Sequence, residues 1–134
     1  MLMMLKTIIY TIFLCFYPLI VLGNNIEGKG LICSKYKSSL KCDESQYIGY
    51  WFTKNNITKY SIEGYEIIKI YKQRYKILTR FIEWQHESCP DSICILNRET
   101  LKISDYQCVV IKTKLGVINK LEGYIEEQKI KNKI

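Results

Sequence analysis

Proline and histidine are nearly missing from this sequence of 134 residues, which holds two prolines, Pro18 and Pro90, and a single histidine, His86. One imidazole excludes any mechanism that needs a pair of histidines as acid and base. The scarcity of proline, with 25% charged and 48% hydrophobic residues, excludes a collagen-like or disordered chain and marks a folded protein. There is no H-E-x-x-H, G-x-S-x-G, Walker or glycine-rich dinucleotide motif. No repeat, low-complexity tract or linker divides the chain, whose length suits one small domain. No constellation specifies a reaction, so no catalytic residue, metal or cofactor is assigned.

The opening residues 1–23 carry one early cation, Lys6, then an apolar run interrupted by Pro18, with Val21 and Gly23 at the small-residue places before Asn24. This is the pattern of a secretory signal peptide cleaved after Gly23. The alternative is an uncleaved anchor, the one route to a membrane. Residues 7–22, however, barely reach the roughly 18 to 20 apolar residues that a span requires. A lipoprotein signal is disfavoured because Leu14 precedes Cys15. Removing the signal leaves residues 24–134 with 19 basic and 13 acidic side chains, a net charge of +6. A secreted or periplasmic location and a basic surface favour an acidic surface or polyanion outside the cytoplasm as partner, rather than a specific nucleic acid.

Five cysteines remain in that domain, Cys33, Cys42, Cys89, Cys94 and Cys108, an odd number for an oxidising compartment. Cys89 and Cys94 flank a turn-rich segment and are expected to form a local disulfide. For a second bridge, Cys33 with Cys108 is preferred because a longer loop restrains the unfolded chain more, with Cys33–Cys42 as the alternative. Cys42 then becomes the free thiol. Zinc is disfavoured, since the Cys89–Cys94 spacing beside His86 is not repeated around Cys33 and Cys42.

Short β-branched and aromatic runs separated by polar turns predict an antiparallel sheet of about six to eight short strands, able to curl into a barrel. Strands are expected at 31–33, 47–53, 57–62, 65–71, 93–96, 101–103 and 106–111. Residues 74–84 supply one long strand or two short ones around Thr79 and Arg80. The pair 47–53 and 57–62 reads as a hairpin turning at 54–56. From about residue 114 the period changes: Leu115, Ile118, Leu121, Tyr124 and Ile125 recur at helical steps, predicting an amphipathic helix that covers one face of the sheet. The fold class is therefore α+β.

Several residues are candidates for binding. Gly49-Tyr50-Trp51 matches the G-x-W pattern of lipocalin barrels, but about 90 residues before the helix look too few for eight sizeable strands. Trp51 is accordingly read as a core or groove aromatic. Lys72, Arg74 and Lys76 interleave with Tyr71 and Tyr75, as cations and aromatics do on polyanion-binding surfaces. Glu83 and His86 are the only acid–base pair on offer, and an extended strand points them to opposite faces. Asn56-Ile57-Thr58 is a glycosylation sequon at the hairpin turn.

The segments at 29–33, 49–52, 82–84 and 96–101, with Tyr106-Gln107-Cys108 and the lysine-rich end of the helix, resemble small β-sheet proteins encoded in AT-rich marine microbial and phage genomes. That resemblance implies a compact sheet with a terminal helix and transfers no activity. It sets apart the Cys89–Cys94 loop as an insertion and draws attention to Arg98. The expected function is non-catalytic binding outside the cytoplasm. A hydrophobic-ligand carrier with a calycin-like barrel and a small secreted hydrolase using Glu83 and His86 are the alternatives.

Overall fold

The alternating runs become eight strands in a computed structural model that describes residues 26–35 and 46–132. These are β1 (Gly30–Lys35), β2 (Tyr47–Phe52), β3 (Asn56–Glu63), β4 (Glu66–Ile77), β5 (Phe81–Gln85), β6 (Ile93–Asn97), β7 (Lys102–Ile103) and β8 (Tyr106–Ile111), followed by helix α1 (Lys114–Lys131). Each strand pairs antiparallel with the next, and β8 returns to β1, closing an up-and-down barrel. Short turns are what make this order available, because antiparallel neighbours can be joined by a few residues. Closure then pairs the two strands that would otherwise be edges. The fold class is as the sequence implied.

Three details differ from the sequence reading. Residues 66–77 form one strand where a break was expected after Tyr71, because nothing between Tyr71 and Arg74 is a turn-forming residue; the chain reverses instead at 78–80. Eight strands do fit into the available length, because the turns at 64–65 and 104–105 are two residues long and β7 itself is only Lys102 and Ile103. The buried face of α1 is Val117, Leu121 and Ile125, an i, i+4, i+8 line, while Leu115 is 67% exposed.

That helical register has a local cause. Thr113 caps α1, its hydroxyl accepting a hydrogen bond from the Gly116 N–H at 2.9 Å. Val117 then meets the barrel wall where two neighbouring strands carry no side chain. A Cβ on Gly49 would lie 2.7 Å from Val117 and 3.0 Å from Leu121, and one on Gly30 would collide with Val117 and come within 2.8 Å of the Tyr50 carbonyl. The two glycines form a seat for the helix. Trp51 packs into this outer cluster with Ile32 and Val117, so the G-x-W segment seats a helix rather than closing a barrel floor. Tyr47 stacks on Tyr124 at 3.5 Å between centroids, extending the contact along α1.

The barrel interior is a packed core of which Leu31, Phe52, Ile57, Ile82 and Leu96 are fully buried. An eight-stranded barrel is just wide enough for such filling. Cys33 and Cys108 are buried partners in the β1–β8 register, and their disulfide staples the pairing that closes the barrel. The Cys89–Cys94 disulfide closes the loop between β5 and β6, around a single 3-10 turn, Pro90–Ser92. Both expected pairings are present. Residues 1–23 and Cys42 lie outside the described residues. Among the described residues no helix is long and apolar enough to cross a membrane.

Candidate functional site

Two places on the barrel concentrate chemistry. The first is the outer face of β4. Strand alternation sends Tyr71 and Tyr75 toward the interior and Lys72, Arg74 and Lys76 outward, where all three are exposed. Register sets Thr58 beside Lys72, Asn56 beside Arg74 and Glu83 beside Lys76. Glu83 and Lys76 are not in ion-pair contact, so the stripe keeps its positive charge. The β4–β5 ladder is confined to Tyr75, Lys76 and Ile77 on the β4 side. Beyond it the strands part, leaving a cleft of about 320 Å³ bordered by Arg74, Lys76, Glu83, Gln85 and Ile93. Arg74 and Lys76 thus line one side of a groove, and Lys72 continues the row along β4 beyond it.

The second place is inside the barrel, toward the end that carries the disulfide loop. Register puts Lys59 between Tyr50 on β2 and Tyr71 on β4. The Trp84 indole N–H donates to the Tyr71 hydroxyl oxygen at 2.8 Å. Tyr50 is close enough to Tyr71 for each phenol to influence the other's titration. Burial pushes Tyr50 well above the usual tyrosine range, helped by the neighbouring Tyr71. Tyr71 is likewise raised by burial, an effect opposed by the hydrogen bond from Trp84 and by the neighbouring Tyr50. Both phenols are therefore neutral at ordinary pH.

Lys59 extends its ammonium over the Tyr71 ring, 5.6 Å from the centroid, and burial lowers its pKa. His86 stacks on the same ring at 4.0 Å with an interplanar angle of 22°. Its Nδ1 accepts from the Ser88 backbone N–H at 3.1 Å and lies 2.6 Å from the Ser88 hydroxyl. An Nδ1 that accepts a hydrogen bond places the neutral ring's proton on Nε2.

The other candidate residues are dispersed. Glu83 faces outward beside Lys76 and His86 turns inward onto Tyr71, so the pair does not converge. Arg98 lies in the β6–β7 turn, where its Nη1 donates to the Leu78 carbonyl at 3.2 Å and the Thr79 carbonyl at 3.5 Å, tying two turns together. The preceding Asn97 accepts from the N–H groups of Glu99 at 2.9 Å and Thr100 at 3.1 Å, which shapes that turn. Asn56 opens β3; its N–H donates to the Thr53 hydroxyl and its carbonyl accepts from the Thr53 N–H. Thr58 of the sequon is buried. Trp51 belongs to the helix interface. Cys89 and Cys94 are consumed in a disulfide and are not metal ligands.

Lys59 was missed by sequence reasoning, although a signal existed. It follows the inward-facing Ile57 by two residues, so a lysine occupies a place where strand alternation calls for an apolar side chain. Comparison with known proteins finds no matching family model, no matching curated protein and no matching solved structure.

Proposed function

We propose that this chain is an exported, non-catalytic binding protein that attaches to a polyanion outside the cytoplasm through the outer face of β4. The observation that carries the reading is the line of exposed cations Lys72, Arg74 and Lys76 on β4, of which Arg74 and Lys76 border the β4–β5 cleft. Alternate residues of a strand are about 7 Å apart, so the three charges form a row that an extended acidic polymer can follow. Export is supported by the signal-like residues 1–23 and by two disulfides, which persist in oxidising compartments. Attraction of this kind weakens with salt. Replacing Lys72, Arg74 and Lys76 together by Ala is expected to lower the salt concentration at which the protein leaves immobilised heparin. Unchanged elution would refute the reading.

A hydrophobic-ligand carrier is the second reading, favoured by the closed eight-stranded barrel. It requires room inside, and Leu31, Phe52, Ile57 and Ile82 already fill much of the interior.

A further inference from the structure

The inner side of the barrel wall holds a cation, Lys59, with no ion-pair partner among the described residues. Lys59 lies within the wall, between Tyr50 and Tyr71, with Tyr71 as its only aromatic contact and no carboxylate within ion-pair distance among the described residues. An ammonium group drawn partly out of water is stabilised by an anion or by reaching solvent, and a ring face replaces only part of the lost hydration. The other lysine at this end, Lys35, does have such a partner, lying 3.8 Å from Asp105. The phenols beside Lys59 are neutral and supply no negative charge. His86, stacked on the same Tyr71 ring, adds an Nε2–H with no hydrogen-bond acceptor among the described residues. Lys59 and His86 thus both contact the Tyr71 ring, one from β3 and the other from the end of β5.

We infer that this end of the barrel binds a small oxyanion, a carboxylate or phosphate group, that pairs with Lys59. Ile57 and Tyr50 are buried immediately beneath, so the ligand is compact and stays at the mouth rather than threading the barrel. The site is on the inner side of the wall and is separate from the outward stripe of Lys72, Arg74 and Lys76. It does not depend on the polyanion reading.

Isothermal titration of the intact chain with benzoate and with inorganic phosphate tests the inference. Saturable one-to-one binding of at least one probe is expected, weakened about tenfold or more in Lys59→Met, as befits loss of a charge-assisted hydrogen bond. The Lys72→Ala, Arg74→Ala, Lys76→Ala variant should bind the probe as the parent does. Binding of neither probe, or equal affinity in Lys59→Met, would overturn the inference. Should Lys59→Met fail to fold, nitrogen NMR of the parent decides: a saturating change at Lys59 Nζ supports the site, and an unmoved resonance refutes it. Heparin retention should be the same with Lys59→Met as with the parent, which keeps the two readings apart.

Discussion

Breaking the Cys33–Cys108 disulfide should cost this domain much more than breaking Cys89–Cys94, although each removes one covalent bond. The bridges span 75 and 5 residues of sequence. Constraining the unfolded chain by loops of those lengths corresponds to about 4.5 and about 2 kcal/mol at 25 °C. The larger figure is a substantial part of the roughly 5 to 15 kcal/mol that holds a small domain together. It applies to the pairing with the greatest separation along the chain, since β1 and β8 meet only when the barrel closes. Replacing Cys33 and Cys108 by Ala also removes two buried sulfur atoms from the core, a loss of the same sign. The assay is urea unfolding of the two double-alanine variants, in a Cys42→Ser background that prevents thiol exchange. At a slope of about 1.5 kcal/mol per molar urea, the midpoint should fall by about 3 M for the barrel staple and about 1.4 M for the local loop. Equal losses, or a greater loss from Cys89 and Cys94, would refute the loop-length reasoning.

Gly49→Ala should destabilise by about 1 to 3 kcal/mol, because its methyl group would press on Val117 and Leu121. Adding Val117→Ala should recover part of that loss, giving a coupling of at least about 0.5 kcal/mol in a double-mutant cycle by urea unfolding; simple additivity would reject the helix-seat account. Burial raises the pKa values of Tyr50, Tyr71, Tyr75 and Tyr124 above the usual 10.0, so the folded chain holds these protons more tightly than the unfolded chain. Their stabilising contribution is complete below pH 10 and is lost as pH climbs through the folded-state values. Lys59, lowered from 10.5, acts in the opposite sense between its folded-state value and 10.5. With four tyrosines set against one lysine, the melting temperature should drop between about pH 10 and pH 11.5; a constant or rising value would contradict the assignment of buried phenols.

Local chemistry was readable before any coordinates. The 47–53 and 57–62 hairpin follows from strand alternation around a polar turn, and the Cys89–Cys94 bridge from two thiols flanking a proline turn. The helix beyond residue 114 follows from a change of period, and the outward cations of β4 follow from the pleat. Each depends on residues close together in sequence, where spacing alone restricts what can meet. Closure of the barrel, the seating of Val117 between Gly30 and Gly49, the clamp from Arg98 to the 78–79 carbonyls and the position of Lys59 over Tyr71 were decided by tertiary structure. Those features need strands far apart in sequence to be in register, and a period-2 pattern fixes which side of a strand is buried without naming its partner. Leu115 shows the same division: its helical spacing was legible, but the face that became buried was chosen by a hollow on strands more than sixty residues away.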